Sequence, residues 1–220
     1  MDSDKTAGRQ RVRELAQQIL PSGDFAGFFD AVYTGADGDS NGVPWADLEP
    51  HPLALEWLQQ HAVQGQGKRA LVVGCGLGDD AEELAKRGFQ VTAFDVSPNA
   101  IAWARRRFPD SSVGYQAANL LEAPAIWQQA FDFVLEIYTI QALLVKLRTQ
   151  AIESIARFVA PGGQLLIVCR GRDNNEELGT MPWPLSRTDL AQFERAGLHE
   201  TSFEDIRDED QRHFRIVYER

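Results

Sequence analysis

The segment Ala70-Leu71-Val72-Val73-Gly74-Cys75-Gly76-Leu77-Gly78-Asp79-Asp80 is an apolar run, three glycines at alternate positions, and two acids. A short apolar run ending in glycine predicts a buried strand. Asp79 to Arg87 then predicts a helix, with Ala81, Leu84 and Ala85 on one face and Gly88 as its stop. Glycines between strand and helix permit a tight turn and let a ligand approach the backbone closely. A second strand, Gln90 to Phe94, leads into Asp95, 17 residues past the last glycine. A carboxylate there is suited to accept from both hydroxyls of a ribose, and the switch point of the sheet is expected between these two strands.

Outward from this unit the pattern continues. Ser97-Pro98 pairs an N-cap with proline at the first helical position, and Ile101, Ala104 and Phe108 supply the apolar face. Ser112 to Gln116 is a weak strand and Phe131 to Ile137 a strong one. Ile140 to Val159 is helical, with a break expected near Leu147. Pro161-Gly162-Gly163 is a turn before the strand Gln164 to Cys169. Ser186 and Asp189 have capping-box spacing and open a helix that ends at Gly197. The tail alternates as a strand, with Thr201 to Ile206 as its hairpin partner. Upstream, residues 9–20, Phe25 to Tyr33 and His51 to Ala62 read as helices, and 34–44 as a loop. The order predicts an α/β, doubly wound, seven-stranded Rossmann-like sheet, mostly parallel with a C-terminal antiparallel strand and helices on both faces.

The chain has 220 residues, 44% of them apolar and 25% charged, with a net charge of −10. That length predicts a single domain over 1–220, made of an N-terminal helical and aromatic cap (1–65) and a core (66–220). The charge disfavours nucleic acid and anionic membrane as partners. The longest apolar run, Leu165 to Cys169, is far short of the ~20 residues of a membrane span. The polar N-terminus lacks the apolar stretch of a signal peptide. Cys75 and Cys169 end apolar runs and read as small buried side chains, so a cytoplasmic location is expected. The four histidines show no metal-ligand spacing, and no metal is expected.

The loop also discriminates between cofactors. A dinucleotide fingerprint is G-x-G-x-x-G/A, and here Asp79 holds the third glycine position. A pyrophosphate would meet Asp79 and Asp80, two like charges. S-adenosylmethionine has no phosphate and carries cationic groups, so it suits an acidic loop. An NAD(P)-dependent oxidoreductase and a non-catalytic S-adenosylmethionine-binding module are the alternatives.

With VVGCGLG (72–78), FDVS (94–97), FDFVLEIYT (131–139) and APGGQLLIV (160–168), the chain resembles a class I S-adenosylmethionine-dependent methyltransferase over residues 66–220. The resemblance implies cofactor contacts from Gly74, Cys75, Gly76 and Gly78 to the methionine portion. It implies Asp95 with Val96 at the ribose, Asn119 and Leu120 at adenine, and Glu136 near the methyl donor. Many members carry an acid where this chain has Val72, and Asp where it has Asn119. FFDAVY (28–33) with VPW (43–45) is similar to the thiopurine S-methyltransferase-like branch, which includes thiol, halide and metalloid methyltransferases. That likeness implies Trp45 as a cofactor contact.

A small-molecule methyl acceptor follows as the expected partner, with the chain as monomer or homodimer. Phe29, Tyr33, Tyr138, Arg170 and Trp183 are the candidate substrate-lining residues. Arg170 and Arg172 follow the fifth strand and could fork to a substrate carboxylate, or pair with Asp173, Glu176 or Glu177. Methyl transfer is an in-line displacement whose main requirement is alignment. A general base is optional, and no catalytic residue stands out.

Overall fold

The computed structural model describes residues 4–179, 181–207 and 211–220. Its strands are β1 (Arg69–Val73), β2 (Gln90–Asp95), β3 (Gly114–Ala117), β4 (Phe131–Ile137), β5 (Val159–Arg170), β6 (His199–Arg207) and β7 (Arg212–Glu219). They form one seven-stranded sheet in the order β3-β2-β1-β4-β5-β7-β6. The pairs among β1 to β5 are parallel, and β7 runs antiparallel to both β5 and β6. This is the expected architecture. The switch point differs from the expectation: after β3 the chain returns to the other side of β1, so the reversal falls between β1 and β4 rather than β1 and β2.

The helices are α1 (Asp4–Ile19), α2 (Phe25–Ala36), α3 (Pro52–Gln60), α4 (Asp79–Lys86), α5 (Pro98–Arg107), α6 (Val145–Phe158), α7 (Arg187–Leu190) and α8 (Gln192–Arg195). Alternate strand residues feed two cores, one on each face of the sheet. Leu71, Val73, Val134, Leu165 and Ile167 pack with Ile152 and Ile155 of α6 and Phe193 of α8. Ala70, Val72, Leu135, Leu166 and Val168 pack with Trp57 of α3, Leu84 of α4 and Ile101 of α5. Cover on both faces explains why these strands are apolar throughout.

Element boundaries moved where side chains have other commitments. The predicted helix from Ile140 begins as a 3-10 turn over Ile140–Ala142, then extends before α6 opens at Val145. Gln141 is drawn away from helix: its carbonyl accepts from Trp183 N–H at 2.8 Å and its Oε1 from Arg170 N–H at 2.7 Å. The capping box at Ser186 and Asp189 is present, but the chain flattens at Ala191 (φ −60°, ψ −11°) and splits the helix into α7 and α8. β6 supplies the expected hairpin partner of β7. The acidic run Asp208-Glu209-Asp210 lies outside the described residues.

The N-terminal segment has two moorings. α2 lies on α5, with Phe28, Val32, Tyr33, Ala100 and Trp103 in one cluster. There Asp30 Oδ1 accepts from Ser97 Oγ at 2.7 Å and from the Asn99 side chain at 3.0 Å. α3 is held separately by the buried Arg215 of β7. That guanidinium donates to Leu53 O at 2.8 Å, to Glu56 at 2.7 Å, and through two further bonds to Glu204 of β6.

Candidate functional site

The glycine turn leaves β1 in left-handed backbone: φ is +62° at Gly74, +51° at Gly76 and +96° at Gly78. Packing demands the outer two. A Cβ on Gly74 would lie 2.3 Å from Thr139 Oγ1, and one on Gly78 would lie 2.4 Å from the Tyr115 hydroxyl. At Gly76 the nearest atom is the Tyr33 hydroxyl at 3.2 Å. The turn is therefore enclosed by the end of β4 on one side and by the cap on the other.

Asp95 organises the same edge. Its Oδ2 accepts from Gly76 N–H at 3.0 Å and its Oδ1 from Ser97 N–H at 2.9 Å. Burial raises its pKa, opposed by these backbone donors. Each carboxylate oxygen keeps a further lone pair. Val96 is half-buried beside it, and Cys75 N–H donates to Phe94 O at 2.9 Å. Burial lifts the Cys75 thiol far above its usual range, so it stays protonated.

The two loop acids are already engaged. Asp79 is bidentate with Arg107, at 2.6 and 2.7 Å. Asp80 accepts from His51 N–H at 2.8 Å, and burial pushes its pKa up to about 6. The expectation of two free charges facing a phosphate is corrected: one is paired on α5 and the other is packed under α3.

Tyr33 is buried against the glycine turn, and its oxygen accepts from Trp45 Nε1–H at 2.9 Å. Trp45 and Phe29 meet edge to face, with ring centres 5.9 Å apart. Sequence reading divided these three between cofactor and substrate; the structure gathers them in one aromatic group. Asn119 is exposed, and its Oδ1 accepts from Leu121 N–H at 3.0 Å, capping a 3-10 turn that buries Leu120.

Glu136 is fully buried. Its Oε1 accepts from Thr139 N–H at 2.6 Å and Ile140 N–H at 3.0 Å, while Oε2 has no hydrogen-bond partner among the described residues. Burial raises its pKa to about 7 against those donors. The native state therefore favours the protonated form, and ionisation of the unfolded chain erodes stability from about pH 4.5 to 7. Relative to Glu136→Gln, the wild type is expected to lose about 3 kcal/mol across that window and nothing beyond it. Urea midpoints of both proteins from pH 4 to 8 check this, and parallel curves would refute it.

Tyr138, immediately after β4, bonds His51 Nε2 through its hydroxyl at 3.0 Å. No side chain among the described residues pairs the Arg170 guanidinium, whereas Arg172 meets Asp189 at 3.1 Å and the backbone carbonyls of Asp173, Asn174 and Glu176. Trp183 is half-buried, and its carbonyl accepts from the buried Arg148 at 2.8 Å. Sequence reading missed His51, Asp30 and Arg148. His51 preceding Pro52 at a helix start was the available signal for the first; the others carried none.

A glycine turn in left-handed backbone, braced by a buried strand-end acid and covered by aromatics, fits S-adenosylmethionine. A side chain at Gly76 would fill the gap below Tyr33, where the Tyr33 hydroxyl and the Asp95 carboxylate lie beside the backbone. The fold is that of the class I S-adenosylmethionine-dependent methyltransferases. Residues 71–167 match the family described as a methyltransferase domain. The chain is 31% identical over 148 residues to the ubiquinone biosynthesis O-methyltransferase of Dechloromonas aromatica (strain RCB), covering 66% of this chain and 62% of that one. It is 36% identical over 121 residues to the enzyme of the same name from Aromatoleum aromaticum, covering 53% and 50%. The chain thus spans less than two thirds of either relative.

Among solved structures, 1,6-didemethyltoxoflavin-N1-methyltransferase of Burkholderia thailandensis, with bound S-adenosylhomocysteine, superposes with a TM-score of 0.70 at 18% identity, over 90% of this chain and 89% of that one. The [4+2]-cyclase SpnF superposes at 0.65 and 18%, over 76% and 79%. These likenesses concern the fold. Among the described residues no helix is long and apolar enough to cross a membrane.

Proposed function

We propose that the chain transfers a methyl group from S-adenosylmethionine to a small-molecule nucleophile, with a hydroxyl as the preferred acceptor. The observation that carries this reading is Asp95, bonded to the glycine turn and to the start of α5 with lone pairs to spare. Gly74, Cys75, Gly76 and Gly78 would hold the methionine portion, Asp95 and Val96 the ribose, and Asn119 and Leu120 the adenine. Tyr33 and Trp45 would close over them. When bound, the cofactor supplies an electrophilic methyl on a sulfonium. The chain's own contribution is alignment and exclusion of water.

The relatives named for O-methylation favour a hydroxyl over the thiol or halide suggested by the FFDAVY and VPW segments. Phe29, Tyr138, Arg170 and Trp183 would wall the acceptor side. A cytoplasmic monomer or homodimer, one domain with residues 1–65 as its cap, completes the reading. A cofactor-binding module without turnover is the second reading, favoured by Val72 and Asn119 standing where many such enzymes carry acids.

Calorimetric titration tests the cofactor assignment. S-adenosylhomocysteine is expected to bind and to raise the melting temperature, and NAD and NADP to do neither. Absence of both effects at millimolar ligand would refute it. A screen for S-adenosylhomocysteine release over hydroxyl, thiol, halide and amine acceptors then separates enzyme from module.

A further inference from the structure

His51 and Tyr138 are 87 residues apart in sequence and meet beside the glycine turn. Thr139, next to Tyr138, is the residue that a Gly74 side chain would strike, and Asp80 at the start of α4 holds the His51 backbone. The rings of His51 and Tyr138 stand edge to face at 5.0 Å. Tyr138 has φ +60°, a left-handed conformation that is unusual for a bulky residue. Strain of this kind persists where surrounding structure imposes it, and it concentrates at functional sites.

The hydrogen-bond count sets the direction of the contact. His51 Nδ1 is buried with no partner among the described residues. A proton there would be a buried donor lacking an acceptor, so the ring proton belongs on Nε2 and His51 donates to the Tyr138 oxygen. Burial and the nearby His213 lower the His51 pKa to about 4, which leaves the ring a neutral donor near pH 7. Among the described residues, His51 and the His213 ring of β7, at 6.0 Å, meet the Tyr138 ring, and Asp80 stands behind His51; Asp47 faces His51.

We propose that the Tyr138 oxygen, held by the Nε2–H of His51, takes the proton of the acceptor as the methyl group is transferred, and that the acceptor is a weakly acidic hydroxyl such as a phenol or enol. This rests on the methyltransferase reading above. Tyr138 enters as phenolate. The acceptor O–H proton moves to the phenolate oxygen, and the pair it leaves behind forms the new bond to the methyl carbon. The sulfur–methyl bond breaks with its electrons kept by sulfur, which loses its positive charge. Tyr138 ends as a neutral phenol and gives the proton to water. Acid and base of similar strength suit this exchange, which is why a phenolic or enolic acceptor matches a tyrosine base.

The test follows tyrosinate absorbance against pH in the full chain with saturating S-adenosylmethionine. Of four tyrosines, Tyr33, Tyr115 and Tyr218 are all raised, chiefly by burial. A first step of one tyrosine is expected below the ordinary value of about 10. It should vanish in Tyr138→Phe, move up by about one pH unit in His51→Leu, and return in His51→Gln, which keeps an N–H donor. A step that survives Tyr138→Phe, ignores His51→Leu, or is absent below pH 10 overturns the proposal. Imidazole nitrogen spectra of the unmutated protein provide an independent measurement: a proton on Nε2 supports the proposal, a proton on Nδ1 overturns it. S-adenosylhomocysteine binding is measured alongside. Lost binding in the unmutated protein removes the methyltransferase reading, while retained binding with an unmoved step removes only the Tyr138 assignment.

Discussion

Asp95→Asn is expected to weaken S-adenosylhomocysteine binding by about a hundredfold or more, with a lower melting temperature from one lost backbone bond. The carboxylate receives one backbone N–H on each oxygen, from Gly76 and from Ser97. An asparagine has one acceptor oxygen, so one of these donors would face an NH2 group. Hydrogen bonds to charged groups contribute about 1.5–3 kcal/mol each, and the cofactor's ribose would lose an acceptor as well. The fold loses one backbone bond as well, a cost that burial partly offsets because it already raises the Asp95 pKa and favours a neutral side chain. Calorimetry and thermal melts on the same samples separate the two effects. A loss of less than fivefold would remove Asp95 from the cofactor site.

Gly74→Ala is expected to destabilise the protein by about 2–5 kcal/mol and to abolish cofactor binding. Alanine in the left-handed region costs about 1–2 kcal/mol, and overpacking adds about 1–3. The overpacking is specific: the new methyl would lie 2.3 Å from Thr139 Oγ1, a hydroxyl that donates to Val73 O at 3.1 Å. Gly74→Ala/Thr139→Ala should recover the steric part and leave the backbone part, a non-additivity that urea denaturation of the four proteins resolves. Additive losses would show that the turn yields without pressing on β4.

The parts of the site that were legible in the sequence are those in which cause and effect lie close along the chain. Strand, glycines and helix follow one another from Ala70 to Arg87, and a parallel sheet brings the end of β2 beside them. The capping residues Ser97 and Ser186 declared themselves in the same way. The acidic pair was legible as residues and misread as charge, because Arg107, which neutralises Asp79, arrives from α5 after a 28-residue separation. His51 with Tyr138, Asp30 with Ser97, and Arg148 with Trp183 are contacts made by topology. None has a local spacing to betray it. The position of the crevice was missed for a related reason: strand order is a property of the crossovers, and the chain's return across β1 leaves no mark in β1 or β2.

The separate moorings of the N-terminal segment divide its labour. α1 and α2 pack together, and α2 rests on α5, fastened by Asp30 on Ser97 and Asn99. α3 belongs to the sheet instead, because Arg215 ties its first turn to β7 and β6. Tyr33 and Trp45 are therefore anchored through α2 and α5, while His51, just ahead of the tied turn, is anchored through the sheet. The two fastenings share no residue, so displacing α1 and α2 from α5 would leave the His51–Tyr138 contact standing.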